Sequence, residues 1–210
     1  MSDAAAVGTM SLTPLPPNEL AAVVTYLAMS EPPVPSSPPS SALALERWAQ
    51  PDLDAYRALF RRVGAPWLWF SRLVMSDAAL AGVVHDAWVE VYAVNDHAAA
   101  VGLLELDFRQ PGAAALAYVG LIPTLIGRGH GRWLLSRAVE LAWRPGVRAV
   151  TVHTCTLDHP AALPAYRRAG FLPVRRAVET FPDPRALGVL SAADAPQVAL
   201  LASPPPASRR

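Results

Sequence analysis

A single cysteine, Cys155, leaves the 210-residue chain no internal disulfide and denies a zinc site the thiolates it commonly uses. Stability has to come from packing. No run of about 18 apolar residues occurs, and the N-terminal MSDAAAVGTM lacks the basic start and continuous apolar core of a secretory leader. The expectation is a cytoplasmic protein with no membrane partner. Charge is also sparse, at 17% of residues, and the 18 basic side chains are scattered around a net charge of +1. That excludes the concentrated basic face expected of a nucleic-acid partner. No internal repeat is visible. What the chain has is apolar material, 52% of its residues, enough to bury one substantial core.

Proline is plentiful, 22 residues, and unevenly placed. It marks residues 1–42 as a Pro-rich arm, in which ELAAVVTYLAMS reads as a strand or a short helix and packs only in part. It also marks 182–210, ending in SPPPASRR, as a loosely attached Ala/Pro-rich tail. Residues 43–181 form the domain. There LALERW reads as a strand, and PDLDAYRALFRRVG as a helix with Pro51 near its start and Gly64 just past its end. GAPWLWFSRL is an aromatic loop, and SDAALAGVV a short helix with Ser76 as N-cap. WVEVYAV, AAAVGLLELDF and AALAYVGLIP form an antiparallel meander, the second strand carrying Leu104, Leu106 and Phe108 on one face and Glu105 and Asp107 on the other. The period then becomes helical through Leu134, Leu135, Ala138, Val139 and Ala142, until Pro145 and Gly146. VRAVTVHTC is a strand, HPAALPAYRRAG a helix closed by Gly170, and FLPVRRAVETF a last strand.

Between the meander and the long helix lies LIPTLIGRGHGRWLL, with glycines at 127, 129 and 131. A strand running through a glycine turn into a helix presents free backbone amides where the helix dipole favours negative charge. Phosphate suits such a place, with Arg128 and Arg132 able to add countercharge; a tight turn with close helix packing is the structural alternative. A Walker A loop is excluded because Gly131 leads to Arg132 and Trp133. A dinucleotide fingerprint is excluded because Arg132 stands where its third glycine belongs and a meander precedes it.

GLIPTLIGRGHGRWLL followed by LDHPAALPAYRRAGF resembles the two signature segments of the GNAT (GCN5-related N-acetyltransferase) superfamily, over about Leu43 to Thr180. The resemblance implies an α+β GNAT fold, a mixed and largely antiparallel sheet flanked by helices, with acetyl-CoA as co-substrate and no metal. It implies that Ile126, Gly127, Arg128, Gly129, His130, Gly131 and Arg132 wrap the pyrophosphate, Ile126 standing where the family has a polar residue. The pantetheine arm would pair along Gly120 to Ile122, with the Leu121 amide, beside that of Ile122, aimed at the thioester oxygen. Tyr166 falls at the family's general-acid position.

For the general base, Ala115 stands near the place of a glutamate in many relatives. Glu105 is the leading substitute, with Asp107, His153, His159 or an ordered water as alternatives. Trp67, Trp69 and Phe70 correspond to the family's variable substrate wall, whereas Tyr118, Trp133 and Cys155 read first as core. The expected activity is N-acetylation of a primary amine on a small molecule. A non-catalytic acyl-CoA-binding module and a peptide or protein N-acetyltransferase are the alternatives, and a homodimer is left open.

Overall fold

The computed structural model describes residues 10–34 and 39–201. Residues 1–9 and 35–38 of the expected arm and the last nine residues of the expected tail lie outside that range. Eleven elements follow in order: β1 (Glu19–Met29), β2 (Ala44–Arg47), α1 (Leu53–Gly64), α2 (Asp77–Val84), β3 (Val89–Asp96), β4 (Ala99–Asp107), β5 (Ala113–Leu121), α3 (His130–Ala142), β6 (Ala149–Cys155), α4 (Ala162–Arg168) and β7 (Leu172–Pro182). The strands make one sheet in the order β2-β3-β4-β5-β6-β1-β7. Every neighbouring pair is antiparallel except β5 with β6.

Local chemistry sets the helix starts. Asp52 accepts hydrogen bonds from the Asp54 and Ala55 amides, and Ser76 from the Ala79 amide, so both helices on this face begin at side-chain caps. The even-numbered face of β4, with Leu104, Leu106 and Phe108, packs beneath α3 and α4 with Leu134, Leu135, Ala138 and Phe171. Leu103 looks the other way and joins Tyr56, Phe60, Leu80 and Val91 under α1 and α2. Helices thus cover both faces. The covered sheet has an apolar core on each side.

Two expectations are corrected. Residues 19–29 are a strand, and not a partly packed one: β1 is hydrogen-bonded to β6 on one edge and β7 on the other. Ala22, Val24 and Leu27 are buried on both of its faces, which erases the polar alternation that marks a half-exposed strand. The segment after β7 is not loose either, at least to Val198. Buried Asp183 and Arg185 form an ion pair, and the Arg185 guanidinium also donates to the carbonyls of Asp194, Ala195 and Val198. Leu190 and Ala195 then pack against Ala65 and Leu68 of the aromatic loop. A run of alanine and proline gave no periodic signal for packing made by one buried charge pair.

Candidate active site

The site begins at a defect in strand pairing. β5 and β6 are paired only from Ala113 with Ala149 to Leu116 with Val152. One residue further on, the β4 to β5 register passes from Leu106 opposite Leu116 to Glu105 opposite Tyr118, so Ala117 is a bulge. A bulge bends its strand and sharpens the twist. Beyond it β5 turns away from β6, and the two strands open a cavity of about 1650 Å3 lined from Ala117 to Leu121 on one side and by His153 and Cys155 on the other.

The backbone of β5 past the bulge has one edge committed and one free. Ile122 donates its amide to Val101 of β4 at 2.9 Å, and its carbonyl accepts from Leu125. Amides alternate between the two edges of a strand, so the Leu121 N–H points to the cavity side. Ile122 packs into the core with both backbone groups engaged, so the structure does not bring it to the cavity.

At the far end of β5 the chain makes a 3-10 turn over Pro123–Leu125 and enters the glycine turn. Gly127 and Gly129 have φ of +81° and +87°, values that a side chain would strain. A Cβ added at 127, 129 or 131 would meet nothing within 4 Å, which rejects the close-packing alternative for these glycines. Gly129 caps α3, whose first residue is His130, and the amides from Gly127 to Gly131 have no backbone acceptor. Ile126, Gly127, Gly129, Gly131 and Arg132 line the cavity. Arg128 and His130 stand beside it, and the His130 ring is tied to the Ser41 hydroxyl at 2.8 Å. An open, amide-rich cradle at a helix start fits a pyrophosphate.

Tyr166 on α4 reaches the same cavity. Its ring packs edge-on to Phe171, 6.0 Å between centroids, and its side chain is 9% exposed. Burial, with the Asp158 carboxylate nearby, pushes the phenol up from its ordinary value, so it stays protonated. Asp158 is itself anchored: it accepts from the Trp69 indole at 3.1 Å, the Thr154 hydroxyl at 2.7 Å and the Cys155 amide at 2.8 Å. Cys155 is half-buried, and burial and Asp158 push its thiol up as well, away from the reactive thiolate.

Glu105 is elsewhere. It is 0% exposed, accepts a 2.6 Å hydrogen bond from the Tyr56 hydroxyl and forms an ion pair with Arg72. A base has to reach the proton it takes, and this carboxylate is sealed under α1, so the structure does not bring it together with Tyr166. Asp107 is clasped by Arg109; burial opposes its ionisation, but the Arg109 bonds outweigh that and hold the carboxyl below its usual range. His159 bonds the Ala161 amide and meets Trp67 edge-on, as a cap would.

Trp67, Trp69 and Phe70 all line the cavity. Trp69 is as much scaffold as wall, because it fills the space above Gly64, where a Cβ would come within 2.4 Å of it. Phe70 stacks on Phe181 of β7 at 5.4 Å. Tyr118, expected in the core, also faces the cavity and pairs with the Ser71 hydroxyl. Trp133 is core as expected. Sequence reasoning missed Glu179 and Phe181, both in the wall. Period-two spacing in the last strand would have put them on one face, but nothing in the sequence said that this face met the cleft. Among the described residues no group of three or more His, Cys, Asp or Glu is placed to hold a metal, and no helix is long and apolar enough to cross a membrane.

A largely antiparallel sheet split at its one parallel pair, with a glycine turn and a helix start at the mouth of the split, is the α+β architecture that the signature segments implied. The chain belongs to the acetyltransferase (GNAT) family, whose model matches residues 44–171. No curated protein matches it in sequence. Among solved structures it is similar to a putative GNAT-family acetyltransferase from Novosphingobium aromaticivorans, with 17% identity, a TM-score of 0.54, and 81% of this chain and 69% of that one covered. It is also similar to a GCN5-related N-acetyltransferase from Sphaerobacter thermophilus (21% identity, TM-score 0.51), covering 83% of this chain but only 54% of that one. An aminoglycoside acetyltransferase from an uncultured soil metagenomic sample, solved with trehalose, matches at 20% identity and TM-score 0.50 over 61% of this chain and 87% of its own. These likenesses establish the fold.

Proposed function

We propose that the protein transfers the acetyl group of acetyl-CoA to a primary amine of a small molecule. The observation that carries this reading is the continuity of one cavity, from the open glycine cradle at Gly127 and Gly129, past Tyr166, to an aromatic wall of Trp67, Phe70 and Phe181. Family membership supports acetyl transfer in general.

In this reading the amides of residues 127 to 131 and Arg132 hold the pyrophosphate, and the free edge of β5 pairs with the pantetheine amides as an added strand would. The Leu121 N–H donates to the thioester oxygen, where negative charge builds as the amine attacks. The new C–N bond forms as the C–S bond breaks, and Tyr166 gives its proton to the departing sulfur. The amine's proton passes to a group on the opposite wall. Glu179 takes that role here, directly or through a water, since Asp158 is spent on three hydrogen bonds and Glu105 is sealed away. Its charge already bears on Tyr118 and Cys155.

The test is CoA release from acetyl-CoA over a panel of amino acids, polyamines, aminoglycosides and short peptides, with the N-acetylated product identified by mass spectrometry. The chain contains no lysine, so release cannot come from acetylation of its own lysines. Release with at least one small amine is expected. Acetyl-CoA binding without release from any of them would favour the acyl-CoA-binding module instead, and release with peptides alone the peptide acetyltransferase.

A further inference from the structure

β7 ends the sheet, and its outer edge runs for eleven residues with no strand beside it among the described residues. Nine of those eleven residues are exposed, and no described backbone group outside β1 bonds to an amide or carbonyl from Val174 to Phe181. An edge of that length is a template for another strand, and proteins commonly blunt such edges with prolines, bulges or charges. Pro173 and Pro182 stand near the two ends, and the register shift against Tyr26 and Leu27 lies at the first of them. Between the prolines, residues 174–181 keep every amide.

The charges on this edge complement a second copy of themselves. Two copies related by a two-fold axis perpendicular to the sheet pair their edge strands antiparallel, and each register sets one residue opposite itself. With Ala177 on the axis, Arg175 of each copy stands opposite Glu179 of the other, on one face and about 5 Å apart at Cβ. Centring on Arg175 or Glu179 would set like charges together, and centring on Arg176 or Val178 would set both opposite uncharged residues. Neither side chain has an ion-pair partner among the described residues. Arg175 rests on the Tyr26 ring, 3.9 Å to the centroid, a weak hold at an exposed site. On the other face Val178 is 69% exposed, and Val23, paired with it on β1, is 42% exposed. The same register makes the two Val178 side chains diagonal neighbours across the axis, so that each covers part of the other.

We propose that β7 is the contact between two copies of this chain, whose outer edges pair antiparallel about Ala177 and join two seven-stranded sheets into one. Backbone hydrogen bonds hold the edges together, the Val178 pair adds apolar burial, and two Arg175–Glu179 ion pairs fix the register. Each copy's Arg175 then stands beside Glu179 in the cavity wall of the other. The contact stands or falls apart from the transferase reading, because it is read by mass and not by turnover.

The experiment is sedimentation velocity on the full chain over a concentration series, at low and at high salt. A species of two chains is expected, dissociating on dilution and more readily at high salt, since the ion pairs lie at the surface. Arg175→Glu or Glu179→Arg alone sets like charges opposite each other at both ends of the contact, and should weaken the dimer at least about tenfold. The chain carrying both exchanges brings opposite charges together again, and should recover most of the parent's affinity. A thermal melt of each variant restricts the comparison to chains that still unfold cooperatively. A parent that stays monomeric at every concentration, single exchanges that leave the dimer intact, or a combined variant that folds but does not dimerise would overturn the proposal.

Discussion

Tyr166 sits in the cavity wall with no hydrogen bond to another described residue, and burial raises its phenol above the ordinary tyrosine range. Raised in this way, the phenol keeps its proton through the neutral and mildly alkaline range. Turnover with a good acceptor should therefore show no fall from Tyr166 ionisation until the pH passes about 10, the unperturbed value for tyrosine. A fall below that pH that disappears in Tyr166→Phe would contradict the assignment. The same variant should lower kcat about a hundredfold, with acetyl-CoA affinity unchanged. Glu105 leads to a different expectation, because its partners Tyr56 and Arg72 make it a buried anchor. Glu105→Gln leaves the Arg72 charge uncompensated in the core and should cost about 3–5 kcal/mol of stability in a denaturant melt, with the pH profile of the rate keeping its shape. Glu179→Gln should do the reverse, lowering the rate most at neutral pH with little change in the melt. A Glu105→Gln variant of normal stability and altered profile would return the base to Glu105.

At the scale of elements, the glycine turn and α3 were legible because their signal is local. A helical period begins within two residues of three alternate glycines, and two of those glycines have the positive φ that the phosphate reading wanted. The meander of β3, β4 and β5 was legible for the same reason, each strand carrying its own alternation. The bulge at Ala117 was not, since it is a relation between β4 and β5 and neither strand records it alone. Nor was the fate of Glu105: its partners are 49 and 33 residues away, and alternation fixes a face without saying what covers it. The segment after β7 escaped similarly, held as it is by Arg185 donating to three carbonyls and by Gln197 donating to Pro66 of the aromatic loop at 2.7 Å. Asp183→Asn breaks the buried ion pair that orients Arg185, and should destabilise the protein by about 3–5 kcal/mol. If the unfolding midpoint does not move, the clasp contributes nothing to stability.

For the whole molecule, the unexpected feature is where the chain's first described strand goes. β1 lies between β6 and β7, so residues 19–29 complete the sheet beside the strand that forms one wall of the split. A chain beginning at Leu43 would keep the family signatures but leave the β6 and β7 edges without the partner that joins them, and it should fail to give a soluble protein with a cooperative melt. In the proposed function, the split between β5 and β6, ending at the glycine turn, is the slot for acetyl-CoA. The most direct measurement is calorimetric titration of acetyl-CoA into the full chain and into Gly129→Val, where a β-branched side chain meets a φ of +87° inside the cradle. One molecule bound per chain, with binding lost in a variant that still melts cooperatively, is the predicted result; no binding to the parent, or undiminished binding to the variant, would contradict it.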